Sequence, residues 1–189
     1  MLETVSSSIP YIGLILGFGI LAHGIILFND GLYWDGWVVD LWQQNGDKNS
    51  MRRFYSEVGM PNLYFEHRIM GLLPWRKLAY RVISLISILS IAGFVFLIAM
   101  RANVFNPLQA SVISLLLLSY PAYAVTFDGV ASLQYTFKIA LFYVGCYFAV
   151  TTIGNSNADS MGVFALSLIL FFFAFNANSI LVYVWGFLL

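Results

Sequence analysis

Val82-Ile83-Ser84-Leu85-Ile86-Ser87-Ile88-Leu89-Ser90-Ile91-Ala92-Gly93-Phe94-Val95-Phe96-Leu97-Ile98-Ala99-Met100 runs without one charged side chain. At 1.5 Å of rise per residue, about 20 apolar residues cross the hydrocarbon core of a bilayer. The run therefore predicts a transmembrane helix, placed at 78–100. Reading outward from it, similar stretches occupy 10–29, 107–127, 130–153 and 161–176, and a sixth, 179–189, reaches the last residue of the sequence. The runs are continuous rather than alternating, which argues against a closed β-barrel. The expected fold is an all-α integral membrane bundle of five to six transmembrane helices in one domain, 1–189. Composition agrees: 60% of residues are hydrophobic, 10% are charged and the mean hydropathy is +0.82. A soluble domain carries about 25% charged residues.

Other features narrow the class. The N-terminal segment, Met1 to Ser8, holds Glu3 and no basic residue. It lacks the basic start of a secretory signal, so the first span is expected to remain as a helix. The net charge is zero, which makes nucleic acid an unsuitable partner. The lone Cys146 excludes an intrachain disulfide and reads as a packing residue inside a span. Gly13 and Gly17 form a small-xxx-small pair that lets another helix approach closely. His23 stands near the end of the same span, either hydrogen-bonded to a neighbouring helix or as part of a site two turns before Asp30.

The only long polar loop, 30–76, opens on Asn29-Asp30-Gly31-Leu32-Tyr33-Trp34-Asp35-Gly36-Trp37. Trp34, Trp37, Val38, Leu41 and Trp42 recur at helical spacing, with Asp35 and Asp40 on other faces. This predicts an amphipathic helix at the membrane interface, where indole rings are favoured. Asn45-Gly46-Asp47 breaks it. A second short helix is expected from about Ser50 to Val58, ending at Gly59-Met60-Pro61. A third stretch, Leu63 to Leu73, leads to Pro74. The loop is thus expected to be a platform of horizontal helices. Further on, Pro121 kinks or ends the third span, and Thr126-Phe127-Asp128-Gly129 is the next turn. Gly154 to Ser160 is a polar connection, and Asn176-Ala177-Asn178-Ser179 is a turn between the last two helices.

Counting spans puts loop 30–76, Asp128 and Asn176 on one side of the membrane. The loop and the helix start after it hold Lys48, Arg52, Arg53, Arg68, Arg76, Lys77 and Arg81, seven of the nine basic residues. The positive-inside rule assigns that side to the cytoplasm. Arg52, Arg53, Arg68, Arg76 and Lys77 can also contact anionic head groups.

Two acidic positions converge on this side: Asp30 with Asp35 at the exit of the first span, and Asp128 before the fourth. Carboxylates at a membrane edge can serve as a base or hold a hard divalent cation. Either residue has a simpler reading as well. Asp30 marks the water boundary, and Asp128 caps a helix. Lys138 follows Asp128 by about 15 Å of helical rise. A lysine within a span is costly, so it either snorkels or meets an anion. Acids above an embedded cation would suit a lipid-linked phosphate substrate.

These residues resemble the N-terminal module of GT-C-fold membrane glycosyltransferases, polytopic enzymes that use polyprenyl-phosphate sugars. In that family the first span is followed by an acidic motif and a long extracytoplasmic loop with juxtamembrane helices, and a second acidic residue precedes the fourth span. The matching segments are Asn29 to Trp37, Phe54-Tyr55-Ser56-Glu57-Val58-Gly59-Met60-Pro61, Thr126-Phe127-Asp128 and Phe175-Asn176-Ala177-Asn178-Ser179. The resemblance implies that Asp30, with Asp35 beside it, takes the catalytic-acid position and that Asp128 takes the second. Lys138, Trp34 and His23 would contact a lipid-linked sugar donor. In members that use a metal, Asp30 and Asp128 would hold a divalent cation, Mg²⁺ or Mn²⁺. It places loop 30–76 outside the cytoplasm, against the basic count, and the chain in a plasma or inner membrane among membrane lipids. Family members usually have more spans and often a soluble C-terminal domain. A second function class fits the composition too: a non-catalytic subunit packed among other membrane subunits, using its 17 Phe, 11 Tyr and 5 Trp as lipid or partner contacts.

Overall fold

The computed structural model of the chain describes residues 2–29, 31–32, 36–120, 130, 135–152 and 158–175, with backbone alone for 2–7 and 158–159. The regular structure among these residues is all helical, with no strand. The elements are α1 (Leu2–His23), a 3₁₀ turn (Gly24–Phe28), α2 (Gly36–Asn45), α3 (Lys48–Glu57), α4 (Pro61–Gly71), α5 (Arg76–Arg101), α6 (Pro107–Leu118), α7 (Thr136–Thr152) and α8 (Ala158–Phe175).

Two of the described stretches, Ser8–Phe28 and Arg76–Arg101, are long and apolar enough to cross a membrane. Pro107–Leu118, Thr136–Thr152 and Ser160–Phe175 are shorter apolar helices. The expected span 179–189, the Pro121 kink, the turn at 126–129 and the Asn176 turn lie outside the described residues, as does most of the 154–160 connection.

Helix α5 is the hub. It packs against α1, the 3₁₀ turn, α4, α6 and α7, and α7 in turn carries α8. Residues Ile88, Ala92, Phe96 and Ala99 recur every three or four positions and so line one face. That face meets Ile15 of α1 and Ala110 and Leu118 of α6 in a buried cluster. The close approach of α1 falls at Gly19. A Cβ there would collide with a Leu89 methyl, whereas nothing lies within 4 Å of one at Gly13 or Gly17. The small-residue pair read from the sequence therefore faces no neighbour among the described residues, and the contact glycine is two positions further on.

Three short helices form a layer across the start of α5. Asp47 caps α3 by accepting a 3.0 Å hydrogen bond from the Ser50 amide, and Pro61 occupies the first turn of α4, where its missing donor costs nothing. The turns between them carry Gly46 at φ +65° and Gly59 at φ +74°, backbone angles that side chains disfavour. Val39, Met51, Tyr55, Leu63, Met70, Ala79 and Tyr80 form the core of this layer. On helix α2, Trp37 and Leu41 are exposed, while Asp40, on another face, is 5% exposed and points inward. The cationic Arg76 and Lys77 of α5 draw the carboxylate in.

Candidate functional site

Buried charged groups gather where α2 and α4 meet the first turns of α5 and of α7. Asp40 of α2 accepts a hydrogen bond from Arg76 Nη2 at 3.1 Å and pairs with Lys77 Nζ at 3.2 Å. Its Oδ2 also takes the side-chain amide of Gln44, one helical turn on. A buried carboxylate is tolerated only when paired in this way.

One turn of α4 sends two adjacent side chains to different helices. Glu66 reaches α7 and forms an ion pair with Lys138, which is only 3% exposed. The ammonium also lies 5.7 Å from the Phe137 ring centroid. Glu66 Oε2 is buried and has no hydrogen-bond partner among the described residues. Lys138 thus meets an anion rather than snorkelling, and that anion is a carboxylate of the same chain.

His67 turns toward α5. Its Nδ1 lies 2.7 Å from the Tyr80 hydroxyl. Gln43 donates from one amide nitrogen to that hydroxyl at 3.0 Å and to the His67 carbonyl at 2.8 Å. The hydrogen count assigns the tautomer. The Tyr80 oxygen accepts from Gln43, and His67 Nδ1 is the one described acceptor for its proton. Nδ1 therefore accepts and Nε2 carries the ring proton. The ring stacks on Tyr55 at 5.2 Å between centroids, with planes 18° apart. Burial pushes the His67 pKa from 6.5 down to about 3, so the ring is neutral at pH 7. Nε2 has no partner among the described residues. The ring also lines a recess of about 30 Å³ shared with Trp42, Gln43, Gly46, Lys48, Met51, Arg68 and Gly71, enough for a water molecule.

The site residues expected from the sequence fall in two groups. His23 is buried, and its Nε2 donates a 2.8 Å hydrogen bond to the Leu118 carbonyl at the end of α6. Such terminal carbonyls lack a partner within their own helix, so His23 joins α1 to α6. Lys138 sits in the junction just described. Asp30, Trp34, Asp35 and Asp128 lie outside the described residues. Their surroundings are partly described. Asn29 Oδ1 accepts from the Gly31 amide at 3.1 Å. Leu32 and Val130, each two residues after an acid, pack into the same core cluster with Val39, Tyr55 and Tyr80.

The sequence does not single out Gln43, Glu66, His67 or Tyr80, and sets Asp40 only on a different face of its helix from the tryptophans. One signal was present: an embedded lysine needs an anion, and Glu66 is one of few carboxylates able to supply it. No periodicity links two residues so far apart in the chain. Among the described residues no group of three His, Cys, Asp or Glu side chains could hold a metal. Comparison with protein-family models, with curated proteins and with solved structures gives no match.

Proposed function

We propose that the chain is an integral membrane protein of five to six spans and acts as a GT-C-like glycosyltransferase, or as the N-terminal part of one. It would move a sugar from a lipid-linked phosphate to an acceptor. Membrane residence is supported by the outward-facing apolar side chains of α1 and α8. Leu14, Ile20, Leu21, Met161, Phe172 and Phe173 are all exposed, and apolar cover on that scale suits lipid rather than water.

The observation that carries the enzymatic reading is the shared packing of Leu32 and Val130 against the layer of short helices. The segments just after the first and third apolar stretches meet in one cluster. That supports Asp30 and Asp128 serving one wet rim. In this reading Asp30 takes the proton of an acceptor hydroxyl. The hydroxyl oxygen attacks the anomeric carbon, the bond from that carbon to the phosphate oxygen breaks, and the lipid phosphate leaves with the electron pair. Attack opposite the leaving group inverts the anomeric centre. Asp128 stabilises the charge that develops; were a divalent cation bound, Asp30 and Asp128 would hold it and it would supply the same stabilisation.

Lys138, already neutralised by Glu66, acts in this scheme as the tie between the layer and α7. The reading is tested by incubating the full chain in liposomes with a panel of polyprenyl-phosphate hexoses and following lipid-phosphate release. Asp30→Asn is expected to lower transfer by about 10²-fold or more, as loss of a general base does. Unchanged transfer by folded D30N removes the mechanism. No transfer from any donor, with copurification at fixed stoichiometry in a larger membrane complex, points instead to a non-catalytic subunit.

A further inference from the structure

A second feature stands apart from the acids. The link between α4 and α5 and the first turns of α5 enclose an open recess of about 340 Å³, lined by Pro74, Trp75, Arg76, Lys77, Leu78 and Arg81. Two of its cations, Arg76 and Lys77, share the single carboxylate of Asp40. Together they outweigh that carboxylate by one positive charge. The Arg76 Nε donor is buried and has no acceptor among the described residues. The Lys77 side chain remains 43% exposed, so its ammonium has directions free of Asp40. The recess is therefore built for a monoanion that can accept several hydrogen bonds.

The rim identifies the anion's source. Leu72, Trp75 and Leu78 stand exposed around the cations. From Val82 onward α5 carries no charge as far as Met100. In a bilayer this puts the basic cluster at head-group depth, where indole rings and snorkelling cations are favoured. A free phosphate ion would gain nothing from the apolar rim. We infer that this recess is the binding site of a resident anionic phospholipid. Its phosphodiester lies between Arg76 and Lys77, and its acyl chains run down past Leu78. Head-group charge would then hold the layer of short helices against the membrane surface. The inference needs the chain to sit in a bilayer and is independent of the transferase reading, so either can fail alone.

The experiment is native mass spectrometry of the full chain released from detergent, titrated with phosphatidylglycerol or phosphatidylcholine of identical acyl chains. A single retained phosphatidylglycerol adduct is expected, with phosphatidylcholine retained weakly. Each basic residue near a membrane surface contributes roughly a fivefold preference. Lys77→Gln should weaken phosphatidylglycerol retention by about that factor, and Lys77→Arg should keep it. Arg53→Gln, which alters an exposed residue paired with Glu57, should bind as the unaltered chain does. Millimolar inorganic phosphate should leave the adduct in place. Equal retention of the two lipids, wild-type retention by K77Q, or displacement by inorganic phosphate would each overturn the assignment.

Discussion

His67 shows how one side chain sets a pH limit on the fold. Its ring is enclosed by Tyr55, Tyr80 and Gln43, and burial holds its pKa near 3 against 6.5 when exposed. Between those values the unfolded chain binds a proton that the folded chain refuses. The fold therefore keeps its full stability above pH 6.5 and loses it as pH falls toward 3. Going from pH 7 to pH 5 should cost about 2 kcal/mol from this residue. In His67→Gln that increment should vanish, so the thermal midpoint in detergent should fall less between pH 7 and pH 5. An undiminished fall in H67Q would show that other groups govern the acid limit. Little in the primary structure warned of this. His67 follows Glu66 and precedes Arg68, a setting that reads as solvent-facing, and only the fold brings Tyr80 of the next helix to it. Lys138 was easier, because a lysine between apolar runs requires an anion. Its partner was invisible because the contact joins helices far apart in the chain.

At the scale of elements, α4 is the tie between the short-helix layer and the bundle. Tyr80 on α5 receives His67, and Lys138 on α7 receives Glu66. A buried pair of this kind is costly to break and cheap to replace as a unit. Removing one partner commonly destabilises by about 3–5 kcal/mol, whereas exchanging both for apolar residues is near neutral. Lys138→Met alone should therefore lower the midpoint of unfolding sharply, and Glu66→Leu with Lys138→Met should restore most of it. A double variant as unstable as the single one would mean that the charges do more than balance each other. The three helices of the layer were legible, because Asn45-Gly46-Asp47 and Gly59-Met60-Pro61 are strong breaks and their glycines adopt positive φ. The burial of Asp40 was not. Hydrophobic spacing placed Trp37 and Leu41 together on a face suited to the membrane interface, but it named no partner for the carboxylate on another face. Asp40 is buried because Arg76 and Lys77 sit opposite it.

For the whole molecule, α5 joins two cores. Its later turns meet α1 and α6, and its first turns meet the layer of short helices. The helical class was plain in the long uncharged runs, and two of the described stretches meet the length and hydropathy of a membrane span. The order of packing was not, since nothing in composition says that α5 rather than α1 is central. The acids expected to do chemistry lie beyond the described residues. The case for them rests on Leu32 and Val130, which bring the neighbouring segments into one cluster. Spin labels at positions 30 and 128, introduced as Asp30→Cys and Asp128→Cys after Cys146→Ser, would give that separation directly by pulsed electron resonance in liposomes. The expected result is a single distance well below the ~30 Å thickness of the hydrocarbon core. A distance of about 30 Å or more, the thickness of the hydrocarbon core, would contradict a shared catalytic rim.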